Sequence, residues 1–95
     1  MSKLYELMYV LSTAQGDEAI EANHQKVQQL IADGAEIVDV DVWGKRRLAY
    51  EINDEKEGYY VVVQFNSDAQ YPKEIDRLLK INDSVLRHLI TKVEQ

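Results

Sequence analysis

From Lys3 to Leu11 the chain alternates, with Tyr5, Leu7, Tyr9 and Leu11 on one side and Leu4, Glu6, Met8 and Val10 on the other. A period of two predicts a strand. Ser12-Thr13-Ala14-Gln15-Gly16 reads as a loop, after which Asp17 and Glu18 supply acids where a helix N-terminus favours them. Ile20, His24, Val27, Leu30 and Ile31 then recur at helical spacing, and Gly34 after Asp33 marks the stop. A long extended run spans Glu36 to Ile52, with Val38, Val40 and Val42 on one face, Asp39 and Asp41 on the other, and Gly44 predicting a bulge or bend. Asn53 to Gly58 reads as a polar turn into a third strand, Tyr59 to Phe65. Pro72 suits the first turn of a second helix whose buried stripe is Ile75, Leu78 and Leu79. Asn82-Asp83-Ser84 turns the chain into a last strand, Val85 to Val93.

Strand, helix, strand, strand, helix, strand is the order of the ferredoxin-like βαββαβ arrangement. It predicts an α+β fold in which a four-stranded antiparallel sheet carries both helices on one face and leaves the other open. Ninety-five residues make one domain, 1–95, around a single core. Only one sheet face can be covered, yet neither alternating set of Tyr59 to Phe65 is polar, and Met8 and Val10 are apolar opposite Leu7 and Tyr9. Apolar groups on an open sheet mark a partner surface, whereas β-propensity alone also makes central strands apolar.

Composition narrows the class. No apolar run approaches the roughly 20 residues of a membrane helix, and the N-terminal segment reaches Glu6 too soon for a signal peptide. Without cysteine there is neither a disulfide framework nor a thiolate metal site. A soluble cytoplasmic protein is expected. The net charge of −6 argues against a nucleic-acid partner, but its distribution argues back. Val42 to Tyr50 holds Lys45, Arg46 and Arg47 with no acid, and Arg77 to Val93 holds Arg77, Lys80, Arg87 and Lys92 against Asp83 alone. Two basic islands on an acidic body suit a protein that meets a polyanion at one edge; they also suit a merely solvated surface.

Catalytic machinery is not visible. His24 lies on the apolar stripe of the first helix and His88 alternates with Leu86 and Ile90, positions typical of structural histidines. No nucleophile elbow, phosphate-cradling glycine loop or paired-histidine zinc helix occurs, so no enzyme activity, metal or cofactor is expected. The RNA-recognition motif shares this topology and stacks bases on its first and third strands. Here Val61 stands where a stacking aromatic is required and Glu6 where an aliphatic is wanted, so base stacking on the sheet is not the expected mode.

The most distinctive run is Trp43-Gly44-Lys45-Arg46-Arg47-Leu48-Ala49-Tyr50. Its consecutive cations in an extended segment suit phosphate contact, which positions without reading sequence; guarding an edge strand against aggregation is the compatible alternative. Unbroken alternation puts Arg46 in line with Val42 and Leu48, and Lys45 and Arg47 in line with Trp43. Together with Tyr5-Glu6, Glu57-Gly58-Tyr59-Tyr60 and Asn82-Asp83-Ser84-Val85-Leu86-Arg87-His88-Leu89, this run makes essentially the whole chain resemble the family of bacterial small-subunit ribosomal protein six.

The resemblance implies a ferredoxin-like, non-enzymatic constituent of the small ribosomal subunit. Such a protein pairs with small-subunit ribosomal protein eighteen and binds the central domain of the small-subunit ribosomal RNA. Carried onto this sequence, Lys45, Arg46, Arg47 and Arg87 fall in the family's motifs and are the expected RNA or partner contacts. Lys3, Lys80 and Lys92 join them on charge and position alone. Met8, Val10, Tyr60 and Val62 are the expected partner surface on the open face. Neither a membrane nor a small-molecule substrate is implied. One departure stands beside the basic run: the family commonly has proline after Leu-Ala-Tyr, and this chain has Glu51, which restores an N–H and adds a negative charge. A homodimer enclosing a small molecule is the competing reading, and it lacks a credible acid–base pair.

Overall fold

The computed structural model describes residues 2–52 and 54–93. Its elements follow the expected order: β1 (Lys3–Leu11), α1 (Asp17–Ala32), β2 (Glu36–Ile52), β3 (Glu55–Ser67), α2 (Tyr71–Lys80) and β4 (Val85–Lys92). The strands form one antiparallel sheet in the order β2-β3-β1-β4. β1 and β3 are therefore central, β2 and β4 are edges, and consecutive βαβ units interleave as the ferredoxin-like arrangement requires.

Because directly opposed strand residues share a face, the β1–β3 register sorts side chains cleanly: Tyr5 meets Phe65, Leu7 meets Val63, and Tyr9 meets Val61. These residues face the helices. Leu7, Tyr9 and Leu11 are buried with Val61, Val63 and Phe65, against Val27 and Ile31 of α1 and Ile75 and Leu79 of α2. Both helices are amphipathic through the spacing of those apolar residues, and each enters with local help. α1 begins at Gly16 with Asp17 and Glu18 in its first turn. α2 begins where Asp68 Oδ1 accepts the backbone N–H groups of Gln70 (3.0 Å) and Tyr71 (2.9 Å), with Pro72 supplying a helical φ.

Two polar clusters pin the helices to the sheet. At the margin of the core, the hydroxyl of the buried Tyr9 accepts from Gln28 Nε2 (2.9 Å) and bonds His24 Nδ1 (2.8 Å), both partners half-buried. His24 also stacks on Tyr59. Burial raises the Tyr9 pKa, so the phenol remains protonated and able to donate to His24. On the other helix, Asp76 Oδ1 lies 2.7 Å from His88 Nε2 of β4 and Asp76 Oδ2 lies 3.0 Å from Lys80 Nζ. Both histidines thus serve structure.

The β2–β3 hairpin differs most from expectation. Glu55 to Gly58, turn residues by the sequence reading, belong to β3; Asp54 before them has a φ of 64°, and Asn53 lies outside the described residues. Glu55 is drawn into the strand because its carboxylate accepts the Ser12 hydroxyl (2.8 Å) and the Thr13 N–H (3.1 Å) of the β1–α1 loop. A polar run is not a turn when its polar groups have partners. At about 3.3 Å per residue a straight 17-residue β2 would span roughly 56 Å. The longest axis of the molecule is 41 Å, so the strand bends.

Tyr9→Phe leaves Gln28 and His24 without their shared partner at a buried site. A loss of about 1–2 kcal/mol is expected, seen as a lower urea midpoint with an unchanged slope. Asp76 should carry part of the acid limb of stability. Lys80 foremost, then His88, hold its pKa below the ordinary carboxylate value. A depressed folded pKa stabilises above the unfolded pKa, and that contribution is lost as pH falls through the folded one. Asp76→Asn should therefore lower the melting temperature near neutral pH and converge with the parent protein in acid, as a series of thermal melts across pH will show.

Candidate functional site

Away from the helices, the register lays out three rows across the sheet. Thr91, Glu6, Gln64 and Asp39 form the first; Leu89, Met8, Val62 and Asp41 the second; Arg87, Val10, Tyr60 and Gly44 the third. The middle row is apolar across three strands, with Leu89 57% exposed and Met8 and Val62 half-buried. Tyr60 is half-buried as well. Val10 is not a surface residue. It is wholly buried, which corrects its place among the expected partner contacts. A Cβ on Gly58 would stand 2.3 Å from Val10 Cγ1 and 3.6 Å from Leu48 Cδ2, so the glycine lets Val10 and Leu48 close over this part of the face. Leu48 is itself 8% exposed.

The place of Leu48 follows from irregularities in β2. Val42 pairs with Val61 and Gly44 with Tyr60, so Trp43 is the extra residue of a bulge, and Gly44 takes φ +82°, the left-handed region that glycine tolerates. Trp43 stacks on Tyr60 with centroids 6.2 Å apart and planes 10° apart, and its Nε1 donates to Asp41 Oδ2 at 2.9 Å. Further on, Arg47 pairs with Glu57 and Ile52 with Glu55, so Leu48 to Glu51 stand opposite Lys56 alone. At the start of this wide excursion Leu48 lies beside Gly58, as Val10 does, and within it Tyr50 lies against Arg87, whose guanidinium carbon is 5.5 Å from the ring centroid. Glu51 lies exposed within it.

The bulge also reverses the expected parity of the basic run. Arg46 pairs with Gly58 on the open face, whereas Lys45 pairs with Tyr59 and Arg47 with Glu57 on the opposite side. Simple alternation had grouped Arg46 with Val42 and the other two with Trp43. Lys45 then meets α1, where Asp17 Oδ1 lies 2.8 Å from its Nζ and holds its pKa above the ordinary value. Arg46 and Arg87 come to the same face, and no ion pair among the described residues engages Arg46, Arg47 or Arg87.

The remaining cations lie elsewhere. Lys80 is tied to Asp76 on the helix side. Lys3 and Lys92 are neighbours at the far end of the helix-side surface, where the Lys92 ammonium depresses the pKa of Lys3. Arg77, part of the second basic island, pairs with Glu74. Sequence reasoning missed Leu89 and Trp43 as face residues. The pairing of Leu89 with Met8 was available from antiparallel alternation, while the position of Trp43 depends on the bulge. Among the described residues no cluster of histidine, aspartate and glutamate is arranged to hold a metal ion, and no helix is long and apolar enough to cross a membrane. What the arrangement offers chemically is guanidinium groups for phosphate, beside an apolar and aromatic face.

Comparison with known proteins places this geometry among relatives. The family model for ribosomal protein S6 matches residues 4–92. The small ribosomal subunit protein bS6 of Clostridium acetobutylicum is 48% identical over 92 residues, covering 96% of this chain and 97% of its own. Its counterpart in Clostridioides difficile is 50% identical over 86 residues, covering 90% and 94%, and that of Desulfitobacterium hafniense is 44% identical over 93 residues, covering 97% and 98%. Among solved structures, the 30S ribosomal protein S6 of Thermotoga maritima superposes with a TM-score of 0.91 at 25% identity, over 98% of this chain and 89% of that one.

Proposed function

This chain belongs to the ribosomal protein S6 family, and from that premise we propose that it binds the central domain of the small-subunit ribosomal RNA together with small-subunit ribosomal protein eighteen. As a family member it is a structural, non-enzymatic constituent of the small ribosomal subunit and acts in translation in the cytoplasm. The observation that carries the finer reading is that Arg46 and Arg87 share the open face, one on each edge strand, with no acid paired to either among the described residues. Two guanidinium groups so held suit the backbone of a folded RNA, and Arg47 on the other side of the same strand extends the grip.

Lys45 has a lesser part, because RNA must compete with Asp17 for its ammonium. Lys80 meets the same competition from Asp76, and Lys3 and Lys92 form a separate outlying pair. The protein partner takes the apolar row of Leu89, Met8 and Val62 with the half-buried Tyr60. Val10 supports that surface from beneath.

Arg46→Ala with Arg47→Ala should weaken binding to a central-domain RNA fragment, measured with protein eighteen present, by roughly tenfold or more without changing the melting temperature. Each lost phosphate contact should also lower the salt slope by about 0.9. Lys80→Ala should leave both nearly unchanged. Equal affinity and slope for the arginine variant and the parent protein remove these two residues from the interface.

A further inference from the structure

The apolar row has two chemically different borders. Toward the hairpin it meets Arg87 and Tyr60, with Arg46 one row beyond; on the other side it meets Glu6 within the sheet and Asp39 on the β2 edge, and Asp41 closes its own β2 end. No ion pair among the described residues engages any of those three acids. Asp41 accepts the Trp43 indole N–H, which fixes its carboxylate at the margin of the row and leaves its charge unneutralised. Asp39 and Asp41 are exposed and Glu6 is half-buried.

We infer that this acidic border selects a cationic protein segment for the apolar row and turns RNA away from it, so that protein and RNA divide one sheet face between its two ends. The inference rests on the proposed pairing function and adds the chemistry of the partner. Apolar side chains of the partner cover Leu89, Met8 and Val62 while its lysines or arginines reach Glu6, Asp39 and Asp41. A phosphate chain has nothing to gain from the apolar row and is repelled by three carboxylates at its margin. A neutral or acidic segment would match the row but leave those carboxylates facing unlike dipoles or like charge, which is discrimination by repulsion as well as attraction. Border charges of this kind act mainly on encounter rate, salt dependence and choice of partner.

The test is calorimetric titration of the full chain and of a Glu6→Gln, Asp39→Asn, Asp41→Asn variant. The titrants are purified small-subunit ribosomal protein eighteen and, separately, a synthetic peptide of alternating leucine and lysine. Both proteins are first matched by circular dichroism and thermal melting. The parent is expected to bind each titrant with an affinity that falls with salt, and the variant to bind about tenfold more weakly with a flatter salt dependence. If the parent fails to bind protein eighteen but binds the peptide in this charge-dependent way, the pairing reading falls and the chemical selection stands. Equal affinities for parent and variant overturn the selection. So does greater self-association of the variant with unchanged partner binding, which would make the acids guards of an edge strand. Displacement of the peptide by a central-domain RNA fragment that leaves Arg46 and Arg47 dispensable would make the row an RNA surface and overturn it as well.

Discussion

One extra residue in one strand governs the functional geometry of this protein. At Trp43 and Gly44, two residues of β2 oppose one of β3, and every side chain beyond that point changes face. Without the bulge, Arg46 would join Val42 on the helix side and Lys45 and Arg47 would join the open face. With it, Arg46 comes to the face that already holds Arg87, and Lys45 is sent to Asp17. Gly44 permits this because its φ of +82° strains any residue with a Cβ. The stack of Trp43 on Tyr60 and the indole bond to Asp41 hold the displaced residue in place.

That bulge also marks how far the sequence could be read. Element order, the boundaries of β1 and β2, and the burial of Leu7, Tyr9, Val61, Val63 and Phe65 follow from periodicity, a local property that each segment expresses alone. Gly44 announced an irregularity, but not whether it would bend the strand or reset its parity, since that depends on which β3 residue opposes it. Val10 shows the same limit. Alternation put it on the open face, as the register does, yet it is buried beside Gly58, where the missing side chain leaves room for Val10 and for Leu48 from the neighbouring strand. Such packing joins three strands and has no signature within any of them. Glu55 likewise reads as turn material until Ser12 and Thr13 supply its partners.

Charge behaves similarly. Seven cations were candidates by sequence, and the fold treats them unequally. Lys45 and Lys80 face carboxylates at salt-bridge distance, Lys3 and Lys92 crowd one another, and Arg46, Arg47 and Arg87 are engaged by no ion pair among the described residues. A run of basic residues is thus a statement about composition. Which of them meet a phosphate is decided by strand parity and by acids from other elements, here Asp17 of α1 and Asp76 of α2.

A net charge of −6 is compatible with RNA binding because charge acts locally in salt. Physiological ionic strength screens exposed charges beyond about 8 Å. Glu6 lies four residues along β1 from Val10, whose β4 neighbour is Arg87, a separation of roughly 13 Å at strand rise. Asp41 lies on the opposite edge strand, three strand spacings or about 14 Å across the sheet from β4. The two charged borders are each beyond the screening length of the other: the Met8 row holds Glu6 away from Arg87, and the width of the sheet holds Asp41, at the β2 end of that row, away from Arg87 too. A narrower stripe would let the acids weaken the arginines; a row of lysines in its place would draw RNA across the whole face. The apolar row therefore does two things at once: it offers area to a protein, and it insulates a cationic end of the sheet from an anionic one.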